Sequence, residues 1–262
     1  MRKNSIFWGL VIIIAGIFLL LDNMGVLRVN VWGLIWPAAI ILLGIWFIWG
    51  RLSKPAEAVV QELTIPLENA TSASITIKHG AGRLNLHGGS SPIDLLSGSF
   101  TGGVIQTTNR IGNQIQVEMH PPSDQPWNTL GNEGFKWDVS FNETMPINFS
   151  LQTGASESQI DLSQLKVDNF KLETGASSSQ ITMPAVAGMT RAQVKSGVSG
   201  VKIAIPQGVA AQIHVTSGLA GIHIDENRFP RFGNDYRSPD YDNASNRLDL
   251  SIETGVGDVD VL

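Results

Sequence analysis

A phrase recurs at a fixed distance along this chain. "SLQTGASESQIDL" occupies residues 150–162, and "KLETGASSSQITM" follows 21 residues later. Numbered from the glycine, further copies stand at Gly197, Gly218 and Gly255, after Gly154 and Gly175. The first three gaps are 21, 22 and 21 residues; the last is 37, one period plus sixteen. Three residues before each glycine stand Leu151, Leu172, Val194, Val215 and Ile252, and five before stand Phe149, Phe170, Ala192, Ile213 and Leu250. Six residues after stand Ile160, Ile181, Ile203, Ile224 and Val261. Spacing by two on both sides of the glycine is strand periodicity. Each copy therefore reads as strand, tight corner, strand and connection, with the glycine expected at a positive φ.

A fixed period near 21 residues predicts a mainly β fold, a β-solenoid-like stack of two-strand rungs in which successive turns lie on one another. One rung cannot bury its apolar face alone, so stacking turns these side chains into columns. An upstream copy, "SITIKHGAGRLNL", centres on Gly80, and "IDLLSGSFTGGV" around Gly98 is a degenerate candidate. Thr153, Thr174, Ser196, Ser217 and Thr254 precede the corners, with His79 in their place at Gly80. Hydroxyls at such positions are expected to bond local backbone. Between residues 105 and 149 the repeat fades, though "NQIQVEM" and "FKWDVSF" still read as strands.

The amino-terminal region is a different material. "IFWGLVIIIAGIFLLL" and "VWGLIWPAAIILLGIWFIWG" carry no charge, and a helix of about 20 apolar residues crosses a bilayer. Residues 1–54 are thus expected to form a transmembrane hairpin, with spans at about 6–23 and 31–50, followed by a linker at 55–62 and the β domain at 63–262. Arg2 and Lys3 before the first span, and Arg51 and Lys54 after the second, outnumber Arg28 between them. The positive-inside rule then places both termini, and the β domain, in the cytoplasm; an outward-facing domain is the alternative.

Charge divides at the same boundary. Residues 1–54 hold five basic side chains and one acidic, net +4, which leaves 13 against 22, or −9, for the rest. An acidic domain has no electrostatic basis for binding nucleic acid. Cysteine is absent. His79, His87, His120, His214 and His223 are scattered without carboxylates at metal spacing, so neither metal nor cofactor is expected. No catalytic motif appears: "GAGRLNLHGG" lacks the strand–turn–helix setting of a dinucleotide site and reads as a rung corner. Asp258 and Asp260 read as solvated acids on a terminal edge strand, where charge resists end-to-end sheet growth.

The sixteen extra residues belong to an insertion, "DENRFPRFGNDYRSPDYDNASNR", at residues 225–247. It holds both tyrosines of the chain. Arg228, Phe229, Arg231, Phe232, Tyr236, Arg237 and Tyr241 have the composition of a partner-binding surface. The same aromatics suit a cap over the open end of the stack, and one segment can serve both purposes.

Two regions carry a family resemblance. "LVIIIAGIFLLLDNMGVL" with "VWGLIWPAAIILLGIW" resembles the transmembrane segment of LiaI/LiaF-like membrane proteins. "HGAGRLNL", the repeated "TGAS" and "RSPDYDNASNRLDLSIETGVGDVDV" resemble the toastrack domain. The resemblance implies a membrane-anchored, non-enzymatic regulator of cell-envelope stress. Its partner would be a membrane sensor kinase or another envelope-stress protein, and self-association into a homo-oligomer is also open. A module that binds cell-wall polymer or glycan outside the cell is the alternative function.

Overall fold

The computed structural model describes residues 59–123 and 134–262, together with Pro37, Ile40, Ile41, Leu43 and Gly44. The chain divides into two compact units, Met1–Lys54 and Pro55–Leu262. The five described residues of the first unit are helical. The expected spans at 6–23 and 31–50 otherwise lie outside the described residues. Among the described residues no helix is long and apolar enough to cross a membrane.

The second unit is built of strands: β1 (Val60–Pro66), β2 (Ser72–Gly88), β3 (Asp94–Thr101), β4 (Ile105–Ile111), β5 (Gln114–His120), β6 (Phe135–Phe141), β7 (Pro146–Asp161), β8 (Lys166–Thr182), β9 (Met189–Ala204), β10 (Ala210–Ile224), β11 (Arg231–Phe232), β12 (Asp235–Arg237) and β13 (Arg247–Val261). Strand begins at Val60, so residues 60–62 of the expected linker already belong to the domain. Arg247, the last residue of the expected insertion, opens β13.

Six of these strands, β2, β7, β8, β9, β10 and β13, are 15 to 17 residues long and pair in parallel. Each is one rung. In β7 the buried residues are Ile147, Phe149, Leu151 and Thr153 before Gly154, and Ser156, Ser158 and Ile160 after it. The alternation slips by one residue at the glycine. A strand side chain alternates faces with period two, so this slip lets both arms of the rung face one interior.

Columns form in the expected register. Ile77, Leu151, Leu172, Val194, Ile252 and Val215 stand in one file, and Leu86, Ile160, Ile181, Ile203, Val261 and Ile224 in another. Most are fully buried, and burying such a side chain contributes about 1.5–3 kcal/mol. The connections close the third side with Leu162, Leu165, Met183, Ile205 and Val209, all buried. They extend the ladder as well: the Leu162 amide donates to the Thr182 carbonyl and Met183 to Ala204, each at 2.9 Å.

The order of rungs departs from the expectation. Successive turns do stack from β2 through β7 and β8 to β9, although β2 and β7 are far apart in sequence. The next neighbour of β9 is β13, and β10 lies beyond it. The chain leaves β9, places β10 one slot away, and returns through the insertion to fill the gap. β13 is therefore interior, and Asp258 and Asp260 are not on an edge strand. Asp260 instead lies 3.3 Å from His223 of β10.

At the other end, the region where the repeat fades hides a further rung in two pieces. β5 pairs in parallel with the first arm of β2, and β6 pairs in parallel with the second. β4 adds antiparallel to β5, while β3 and then β1 add antiparallel beyond β6. The candidate copy around Gly98 is this β3, an antiparallel strand and not a rung.

The glycines also act differently from the expectation. None of the six corner glycines, Gly80, Gly154, Gly175, Gly197, Gly218 and Gly255, is among the positive-φ residues. Close approach requires glycine at Gly154, Gly218 and Gly255, is less tight at Gly175 and Gly197, and is not present at Gly80. A Cβ on Gly154 would lie 2.4 Å from the Gly80 carbonyl oxygen, one on Gly255 2.7 Å from that of Gly197, and one on Gly218 2.7 Å from that of Gly255.

Candidate docking surface

The insertion does two jobs, and the fold divides its residues between them. Asp225 turns the chain: its carbonyl accepts from the Arg228 and Phe229 amides at 3.1 and 2.9 Å, and its carboxylate from the Asn227 amide at 3.1 Å. Phe229 is thereby driven into the core, 1% exposed. Arg228 covers it, 4.8 Å from the ring centroid, and donates to the Ile205 and Pro206 carbonyls at 2.8 and 3.1 Å. Both residues are occupied in holding the insertion to the stack.

β11 and β12 then form a small hairpin about Gly233, whose φ of 67° suits glycine. β12 pairs antiparallel with β10, Tyr236 opposite Ile213 and Arg237 opposite Gln212. Tyr236 packs against the core. The Ser238 amide donates to the Ala211 carbonyl at 2.8 Å, and the Ser238 hydroxyl accepts from the Ala211 amide at 2.9 Å. The insertion is thus a cap on the first arm of β10.

What remains outward is narrower than the sequence suggested. Arg231 and Phe232 are exposed, Phe232 by 64%. The Arg237 guanidinium lies over the Phe232 ring at 5.5 Å and the Tyr241 ring at 4.8 Å, and pairs with Asp242. Burial, with the nearby Asp249 carboxylate, pushes the Tyr241 hydroxyl above its ordinary pKa. The Asp235 carboxylate accepts from His214 Nδ1 at 2.7 Å. The ledge that remains is therefore the exposed Arg231 and Phe232, backed by the half-buried Arg237 and Tyr241.

Two further features were not foreseen. The first is a trough along the glycine corners. An open groove of about 560 Å³ is lined by Glu173, Lys195, Glu253, Thr216 and three corner glycines, Gly197, Gly218 and Gly255. Lys195 and Glu253 pair across rungs at 2.8 Å, and Lys171 pairs with Glu173 at 2.7 Å. That lysine holds the Glu173 carboxyl below its ordinary pKa. Behind the trough, hydroxyls bond one another and not local backbone: Thr153 to Thr174 at 2.8 Å, Thr174 to Ser177 at 2.6 Å, Ser196 to Thr254 at 2.9 Å.

The second is His79, which heads this hydroxyl file where the split rung begins. It is 1% exposed and meets the Trp137 ring edge-on at 5.2 Å. Neither ring nitrogen has a hydrogen-bond partner, nor does the Trp137 Nε1. Burial lowers its pKa from 6.5 to about 4, with the Phe135 backbone acting in the opposite direction. The signal in the sequence was the one imidazole in a file of hydroxyls.

An open stack of parallel, glycine-cornered rungs with a hairpin cap defines the class: a rigid β scaffold that presents surface outside a continuous hydrophobic core. The chain belongs to the toast_rack family. Residues 54–204 match the N-terminal domain of toast_rack, DUF2154, and residues 7–69 match the LiaF transmembrane domain, which places the protein at a membrane. The fold is similar to the crystal structure of a candidate cell adhesion protein from Clostridium sporogenes ATCC 15579. That similarity has a TM-score of 0.71 at 19% identity, over 78% of this chain and 98% of that one. No curated protein matches the chain.

Proposed function

We propose that this protein is a non-enzymatic regulator of cell-envelope stress signalling that works by protein contact. The observation that carries the reading is the union in one chain of a LiaF transmembrane domain with a toast-rack β domain. The membrane segment holds the scaffold beside the bilayer, and the ledge of Arg231, Phe232, Arg237 and Tyr241 meets the partner. That partner is a membrane sensor kinase or another envelope-stress component, and the β domain faces the cytoplasm, where the kinase core lies. Aromatic and arginine side chains on a rigid support favour such a role, because little side-chain entropy is lost on contact.

A second reading has its own observation. The trough beside the glycine corners offers alternating charges in an open groove, which suits a linear polymer such as a wall glycan. Topology separates the two. A reporter joined after Leu262 is expected to be active in the cytoplasm under the first reading and outside the cell under the second.

The contact itself is tested by the Arg231→Ala/Phe232→Ala double variant. In cells carrying a stress-responsive reporter, this variant is expected to lose its effect on reporter output while keeping its membrane level. Unchanged output at normal abundance would remove the ledge from the mechanism.

A further inference from the structure

The outer edge of β10 is only half covered. β12 pairs with it at Gln212 and Ile213 and ends. Among the described residues no strand pairs with that side of β10 over residues 216–224. Leu219 is 85% exposed there. The interior residues Ala220, Ile222 and Ile224 stay partly exposed, while the β13 neighbours of the two isoleucines, Val259 and Val261, are fully buried. The second-arm columns reach this last rung only partly covered.

Open edges are commonly guarded by charge, proline or a bulge. β4, exposed along its whole length at the other end, carries Arg110 paired with Glu68. The segment Gly218–Leu219–Ala220–Gly221–Ile222–His223–Ile224 has none of these guards. Its one ionisable side chain, His223, faces Asp260 of the same chain.

We propose that a second copy of this chain covers this edge, through antiparallel two-fold pairing of the two β10 strands centred on Gly221. What the edge lacks is a strand with aliphatic residues on alternate positions, and the segment is such a strand. With Gly221 opposite its mate, Ala220 of one copy lies opposite Ile222 of the other, which continues the interior face. Leu219 lies opposite His223 on the outer face. Within the two paired segments no like charges meet. The overlap spans residues 218–224 and leaves both copies of β12 outside it, so the cap sets the register. A two-fold join of this kind uses the same surface on both partners and closes as a dimer. It is independent of the proposed signalling role.

The absence of cysteine and the exposure of Leu219 and His223 make the test simple. The full chain is reconstituted in nanodiscs and in detergent micelles, and the protein mass is measured by light scattering. A dimer is expected for the native chain. Leu219→Lys/His223→Lys sets lysine against lysine and is expected to give a monomer with an unchanged thermal transition. Leu219→Glu/His223→Lys sets glutamate against lysine and is expected to restore the dimer. A monomeric native chain would overturn the proposal, and so would a dimer indifferent to the double lysine variant. Failure of the Glu/Lys variant to restore the mass would overturn the two-fold register.

Discussion

Gly154 and Gly80 sit in the same column, yet they do not tolerate the same change. A methyl at Gly154 meets the Gly80 carbonyl oxygen at 2.4 Å, whereas one at Gly80 meets nothing within 4 Å. Gly154→Ala is expected to cost about 1–3 kcal/mol, as overpacking does, and Gly80→Ala to stay within about 0.5 kcal/mol. Denaturant titration of the two variants checks this; equal effects would remove close approach as the reason for glycine. Ile181, 2% exposed in its file, has no room for a charge, and Ile181→Asp is expected to cost about 3 kcal/mol or more. His79 adds a pH dependence. Its pKa falls from 6.5 to about 4 on folding, so between these values the unfolded chain binds a proton that the folded chain refuses. Stability from this group is full above pH 6.5 and falls as pH drops, by about 3 kcal/mol at pH 4. His79→Thr, which extends the hydroxyl file, is expected to flatten the profile; an unchanged acid limb would place the proton elsewhere. Period-two columns were legible from residue types alone, because Ile160 and Ile181 repeat at fixed distance. The reason for the corner glycines was not, because φ and close approach leave the same residue in the sequence.

At the scale of elements, the insertion shows how little composition says about burial. Phe229 and Phe232 lie three residues apart, each directly after an arginine. One is 1% exposed and the other 64%. The difference arises from the turn at Asp225, which points Phe229 inward, and from pairing of β12 with β10, which turns Phe232 out. Phe229→Ala is therefore expected to cost about 3–5 kcal/mol, and Phe232→Ala to leave the thermal transition within a degree or two of the native chain. Equal destabilisation by the two would contradict the division of the insertion into anchor and ledge. The sequence identified this segment as the place where the repeat is interrupted. It could not assign anchor and ledge, because that assignment depends on which neighbour the hairpin meets. The rung split between β5 and β6 was hidden for a related reason: its two arms end at His120 and resume at Phe135, too far apart in the chain to show the period.

At the scale of the whole molecule, the exchanged order of β13 and β10 changes what the chain terminus does. In a stack numbered by sequence, the last rung is a removable end. Here β13 pairs over its full length with β9 on one side and β10 on the other. β10 has no seat until residues 247–262 are in place, so the two rungs dock together. Contact energies in such arrays are chiefly between nearest neighbours, so native-state hydrogen exchange is expected to give β10 and β13 a common opening. Residue types do not reveal this order, since Val194, Ile252 and Val215 would stack equally well in either sequence. The long gap before Gly255 is the only trace it leaves. The most direct measurement uses the absence of cysteine. Val198, Val256 and Leu219 are all exposed at the position after the corner glycine, and Val198 is in register with Val256, which is in register with Leu219. Adjacent rungs lie about 4.8 Å apart and alternate ones roughly 10 Å, and a disulfide spans only the shorter distance. Val198→Cys/Val256→Cys is expected to form an intramolecular disulfide on mild oxidation, and Val198→Cys/Leu219→Cys is expected to remain reduced. The opposite pattern would mean that the rungs stack in chain order.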